Sequence, residues 1–151
     1  MLIETPEQEQ DQIYKLETDI DDCSGEALGF VSELLFKAGA KDVHFMPIYM
    51  KKNRPAYELC VICTPEDVEK MEEIIFENTT TIGIRKMSME RRVLPRTIKT
   101  VETPYGQASV KVCQIGGRQR FYPEYESVKA LCLSHGMSYS QMYAAIMEAC
   151  R

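Results

Sequence analysis

The chain has 151 residues, 44% of them hydrophobic and 27% charged, and 18 Lys and Arg against 23 Asp and Glu leave a formal net charge of −5. That is the composition of a globular protein long enough to bury a core without disulfide or metal staples, and its acidic balance argues against a nonspecific nucleic-acid binder. Apolar clusters such as Leu59 to Cys63 are far too short to cross a membrane, and the start MLIETPEQEQDQ lacks a signal peptide's basic and apolar segments, so a cytoplasmic protein with reduced cysteines is expected.

Residues 1–12 show no periodicity and read as a flexible lead-in. From 13 to 20 the residues alternate, with Tyr14, Leu16, Thr18 and Ile20 inward and Ile13 and Lys15 outward, which predicts a half-buried strand. Asp21 and Asp22 end it. Asp22 or Ser24 can cap a helix whose inner face is Leu28, Val31, Leu35 and Ala38 and whose stop is Gly39. Residues 42–50 predict a strand that Pro47 confines to an edge or a bulge, KKNRP (51–55) a polar turn, and residues 57–63 a buried strand. Thr64, Pro65 and Asp67 suit a helix start with a capping box, followed by Val68, Met71 and Ile75 on the inner face.

Beyond Gly83 the pattern predicts strands at 84–94, 97–103 and 107–114, a meander ended by Gly116-Gly117. Two helices follow, 123–135 and a last one to about Cys150 opened by a Ser138/Gln141 capping box. The order β-α-β-β-α-β predicts an α+β protein with a ferredoxin-like core, extended by a β-hairpin or meander and two C-terminal helices. The expected divisions are a core over 13–95, a hairpin extension over 96–117 and a helical tail over 118–151.

The net charge is a sum of opposites. Residues 1–50 hold 11 acidic and 3 basic residues, whereas 85–120 hold 9 basic and 2 acidic. Glu17, Asp19 and Asp21 fall on one strand face, with Asp22 and Glu26 beyond them. Oxygen ligands at this density suit Mg²⁺ or Mn²⁺ bound together with substrate phosphates, although a solvated strand edge and a helix cap have the same residues. The turn with Lys51, Lys52 and Arg54 can grip phosphate or simply protect an edge. TTTIGIR (79–85), continued by Arg91, Arg92, Arg96 and Lys99, offers hydroxyls, backbone N–H groups and cations to an anion, but it is no P-loop. Parity puts Arg85 and Arg91 on one strand face and Lys86 and Arg92 on the other.

The remaining chemistry-bearing residues read as packing. Cys60 and Cys63 are three apart on a strand, so their thiols point to opposite faces, and Cys23, Cys113, Cys132 and Cys150 are scattered. His44 lies in a strand and His135 at a helix end. The nine Met and the run Tyr122, Tyr125, Tyr139 and Tyr143 are read as packing rather than as a soft-metal site or a base-stacking surface.

In order, the strings ETDIDD (17–22), MKKNRP (50–55), TTTIGIR (79–85), RRVLPR (91–96), TPYG (103–106), VKV (110–112) and PEYE (123–126) resemble the C-terminal domain of the LarC family of nickel insertion proteins. The resemblance runs from about residue 13 to the end. The chain departs from the family's pattern at Asp19, where Asn is expected. The resemblance implies a CTP-dependent cyclometallase, a lyase that places Ni²⁺ into pyridinium-3,5-bisthiocarboxylic acid mononucleotide to make the nickel-pincer cofactor of lactate racemase. The family's longer, His-rich N-terminal portion has no counterpart here, so a domain cut from a longer enzyme is expected. It implies Mn²⁺- or Mg²⁺-bound CTP on this domain, with Asp19, Asp21 and Asp22 on the cation and Lys51, Lys52, Arg54, Thr80, Thr81, Arg85 and Arg91 on the triphosphate. No residue is assigned a catalytic role. CTP and a pyridinium mononucleotide are the expected partners, with no nucleic acid and no membrane, and the edge strands suggest a homo-oligomer, a trimer or hexamer. The alternative is a non-catalytic ferredoxin-like module for small-molecule sensing or oligomerisation. RNA binding ranks lower, because the meander has only Tyr105 as an aromatic, and it sits at a turn.

Overall fold

A computed structural model describes residues 11–151, and the lead-in expected over 1–12 lies outside them except for Asp11 and Gln12, which open the first strand. The chain divides into two compact units, one up to Arg92 and one from Val93 to Arg151.

In the first unit the elements are β1 (Asp11–Ile20), α1 (Gly25–Lys37), β2 (Asp42–Met50), β3 (Arg54–Cys63), α2 (Val68–Asn78) and β4 (Arg85–Arg91). The sheet order is β2-β3-β1-β4, antiparallel throughout, which is the ferredoxin-like arrangement. Pro47 is tolerated because β2 is an edge. The alternation along β1 sends Leu16 and Ile20 to the helix-covered face. There they pack with Leu59, Val61 and Cys63 of β3 and with Leu28, Val31, Leu35, Met71 and Ile75 of the helices. Every second residue faces away from the helices, and that open face carries the charges described below. Ile13, expected outward, is buried all the same, beside Met89 of β4.

Ser24, rather than Asp22, caps α1 by accepting from the Ala27 N–H at 3.2 Å. The capping box expected at α2 takes another form. Thr64 opens a short 3-10 turn over Pro65–Asp67, its hydroxyl donates to the Asp67 carboxylate at 3.0 Å, and the α-helix starts only at Val68. The β2–β3 turn is tight enough to put Lys52 and Asn53 at φ 62° and 56°, a left-handed backbone that costs non-glycine residues energy.

The second unit holds β5 (Arg96–Thr103), β6 (Gly106–Ile115), β7 (Arg118–Pro123), α3 (Tyr125–His135) and α4 (Tyr139–Ala149). Its sheet order is β5-β6-β7. Ala108 and Val110 of β6 pack against Val128, Met142 and Ile146, which makes a core of its own. This corrects the expected organisation in two places. The strand expected over 84–94 stops at Arg91, and the stretch after Gly116-Gly117 is a seventh strand rather than the start of a helical tail. Both glycines have positive φ, 52° and 76°, the requirement of a two-residue hairpin turn that sends the chain back along β6. Tyr125, Tyr139 and Tyr143 form a run of ring contacts with centroids 5.9 and 6.2 Å apart.

Candidate functional site

The segments singled out in the sequence meet at one end of the first sheet. β1 runs into this end, β3 and β4 start from it, and the β2–β3 turn and the loop after α2 flank it. Arg85, the first residue of β4, grips Asp19 of β1 with both terminal nitrogens, Nη1 to Oδ2 at 3.0 Å and Nη2 to Oδ1 at 2.9 Å. It also reaches Glu17 at 3.5 Å and Glu58 at 3.4 Å. Arg54 donates to Asp21 at 3.0 Å, and the Thr80 hydroxyl donates to Asp22. Thr18, fully buried on the helix side, shares a hydrogen bond with Thr81 at 2.5 Å and donates to the Gly83 carbonyl at 2.9 Å, tying the TTTIGIR loop to β1.

Asp19, Asp21, Asp22, Arg54, Thr80, Thr81 and Arg85 therefore lie at the same sheet end but in separate contacts, with Arg85 on Asp19 on one face of β1 and Thr81 on Thr18 on the other. Lys51 and Lys52 sit exposed on the adjoining β2–β3 turn. Arg91 does not join them. It is six residues from Arg85 along β4, about 20 Å at the rise of a strand, and stands opposite Asp11. Lys86 points to the helix side and pairs with Glu72 of α2 at 3.0 Å. Beside the cluster, Ile20, Asp21, Cys23, Pro47, Tyr49 and Tyr57 line a pocket of about 160 Å³. Drug-sized ligands need roughly 300 Å³ or more, so this pocket suits a single ring rather than a whole nucleotide.

The electrostatics follow from the contacts. The Lys15 ammonium, and then Arg85, hold the Glu17 carboxyl below the usual range, and Arg85 does the same to Asp19. The carboxylates in turn raise Arg85 further above neutrality. Glu17, Asp19 and Asp21 thus coexist because Lys15 of β1, Arg85 of β4 and Arg54 of β3 neutralise them.

The three aspartates do not converge on a common point. Among the described residues, the one group of three ligating side chains with donor atoms within 4.8 Å of one another is Glu17, Glu58 and Cys60. A cation at the aspartates would therefore take one or two of these carboxylates and would need other oxygen donors to complete its shell.

Glu58 and Cys60 had no part in the site as read from the sequence. Their shared parity on β3 was visible, but the register that sets Glu58 against Asp19 and Cys60 against Glu17 was not. Cys63 lies in the helix-side core, so the two thiols do face opposite ways.

The profile of the family described as Nickel insertion protein matches residues 1–143. A pyridinium-3,5-bisthiocarboxylic acid mononucleotide nickel insertion protein of Alkaliphilus metalliredigens is 54% identical over 132 residues, 87% of this chain and 31% of that protein. Its namesake in Acetivibrio thermocellus is 43% identical over 139 residues, 92% of this chain and 34% of that protein. The chain spans about a third of the length of these relatives. Among solved structures it is similar to the apo form of LarC2, the C-terminal domain of a cyclometallase involved in the synthesis of the NPN cofactor of lactate racemase. The TM-score is 0.87 at 37% identity, over 92% of this chain and 96% of that one. A Methanopyrus kandleri protein shares the fold, with a TM-score of 0.67 at 22% identity over 94% of this chain and 90% of that one.

Proposed function

Because the chain belongs to the nickel insertion protein family, we propose that it is the CTP- and divalent-cation-binding part of an enzyme that inserts Ni²⁺ into pyridinium-3,5-bisthiocarboxylic acid mononucleotide. The observation that carries this reading is the meeting of three sequence-distant segments at one sheet end, as Asp19 with Arg85, Asp21 with Arg54 and Asp22 with Thr80. The ion pairs are poised for exchange. A Mn²⁺- or Mg²⁺-bound triphosphate brings a cation for the carboxylates and anions for the arginines, so each partner leaves one opposite charge for another.

Asp21 and Asp19 supply carboxylate oxygens to the cation, with Asp22 beside them. Lys51, Lys52, Arg54 and Arg85 neutralise the triphosphate, and Thr80 and Thr81 donate hydroxyls to it. Arg91 is too distant from Arg85 to share the same phosphates in one chain, which leaves the other six nucleotide residues as the working set. The pocket that Tyr49 and Tyr57 help to line is of a size for the pyrimidine ring. Substitution at a CTP phosphorus depends on charge neutralisation and in-line positioning, which this constellation of cations provides without a dedicated acid or base.

Thermal unfolding with Mn²⁺ and each of CTP, UTP, ATP and GTP tests the reading. A ligand at a hundred times its Kd adds about 2.7 kcal/mol, several degrees for a chain of this size. The expected result is a rise with CTP well above the others, lost when Lys51 and Lys52 are both reversed to Glu while the ligand-free midpoint stays. No rise with any nucleotide overturns the proposal and favours a non-catalytic module.

A further inference from the structure

The open face of the first sheet carries a second donor set, of a different kind from the aspartates. Its rows follow from the strand register. Arg85, Glu17, Cys60 and His44 stand side by side across β4, β1, β3 and β2, and the next row is Asp19, Glu58 and Met46. Cys60 is thus flanked by Glu17 on one side, His44 on the other and Glu58 two residues back on its own strand. Its thiol is fully buried, yet it lies outside the helix-side apolar core. The Cys60 Sγ and oxygens of Glu17 and Glu58 lie within 4.8 Å of one another. Donors on opposite sides of a metal ion, each with a bond of about 2.0–2.3 Å, stand about 4–4.6 Å apart, so small side-chain movements close the set. His44 directly faces Cys60, and opposed residues have Cβ atoms about 4.5–5.5 Å apart, within reach of an imidazole after rotation. Half-exposed Met46 and Met87 lie on the same face, one opposite Glu58 and one opposite Lys15.

Thiolate, imidazole and carboxylate together select borderline ions such as Ni²⁺, Co²⁺ and Zn²⁺, whereas Mg²⁺ and Mn²⁺ prefer oxygen alone. We propose that Cys60, Glu17 and Glu58, with His44 closing from β2, bind the Ni²⁺ ion that is to be inserted. The choice of Ni²⁺ among these ions rests on the nickel-insertion reading above. The site is separate in its donors from the Asp19, Asp21 and Asp22 set and adjoins it along β1, so cargo ion and nucleotide-bound cation are held side by side. Binding moves the thiol proton to solvent and forms the sulfur–nickel bond, with no change of oxidation state. Lys15 and Arg85, which neutralise Glu17 and Glu58, give up part of that role to the ion.

The test is a titration of the reduced, tag-free chain with NiCl₂ alone, followed by calorimetry and by near-ultraviolet absorption. One equivalent is expected, with a thiolate-to-nickel charge-transfer band, and MnCl₂ without nucleotide should not compete. Cys60→Ser should abolish the band and weaken binding by about tenfold or more, since even groups that only orient ligands are worth about 10–100-fold. Should that variant fail to fold, Glu58→Gln, on a partly exposed side chain, should keep the band and still weaken binding. Nickel binding without the band, or binding unaffected by Glu58→Gln, overturns the assignment. The CTP-dependent rise in midpoint, measured on the same preparation, separates the two ideas. Its persistence without nickel binding sinks the nickel site alone, and its absence beside a normal nickel titration sinks the nucleotide reading alone.

Discussion

Thr18 shows what one residue decides here. It stands in the inward row of β1 between Leu16 and Ile20, where a purely apolar side chain would pack as well. Its hydroxyl instead donates to Gly83 and bonds Thr81, and this fixes the loop that delivers Arg85 to Asp19. Thr18→Val keeps the shape and removes the hydroxyl. The Gly83 carbonyl retains the Thr81 donor at 3.1 Å, so the loss should fall near 1–2 kcal/mol rather than at the upper end for an orphaned buried group. A lower urea midpoint with unchanged slope would be the sign, and an unchanged midpoint would show that the tether adds nothing.

At the scale of elements, sequence and structure agree best where a helix is set by its own residues. Ser138 accepts from the Gln141 N–H while the Gln141 side chain accepts from the Ser138 N–H, a capping box visible in the sequence. Because α4 supplies Met142 and Ile146 to the second core, its start matters to that core. Ser138→Ala should cost about 1 kcal/mol by denaturant titration, and Ser138→Asp should restore most of it. The seventh strand is not legible in the sequence, for the opposite reason. Gly116-Gly117 serves equally as a stop or as a hairpin turn, and RQRFYP is too polar to declare a strand without β6 beside it.

For the whole molecule, the paired carboxylates give stability a dependence on pH in acid. Lys15 and Arg85 lower Glu17, Arg85 lowers Asp19, and Lys70 and then Thr64 lower Asp67. Each has a folded pKa below its unfolded value near 4, so in that window the unfolded chain binds more protons and stability rises with pH. Their contribution is complete above the unfolded values and is lost as pH falls through the folded ones. Lys15 and Lys86 are raised, so their share is lost only as pH climbs past about 10.5. Urea midpoints should be level near pH 6–8 and fall below pH 4, and Asp19→Asn should shallow that fall. An equally steep fall in the variant would remove Asp19 from the account.

The sequence by itself determined the element order of the first unit, the inner faces of its helices and most of the caps, because these follow from periodicity and from groups within a few residues of one another. It also marked the acidic strand, the KKNRP turn and the TTTIGIR loop as places for chemistry, by residue type alone. Only the tertiary structure decided which of them meet. Strand pairing brings Arg85 to Asp19 across 66 residues and Arg54 to Asp21 across 33. It leaves Arg91 at the far end of β4 and sets Cys60 between Glu17 and His44. Register is a property of two strands at once, and a slip of one residue would turn each of these side chains to the other face.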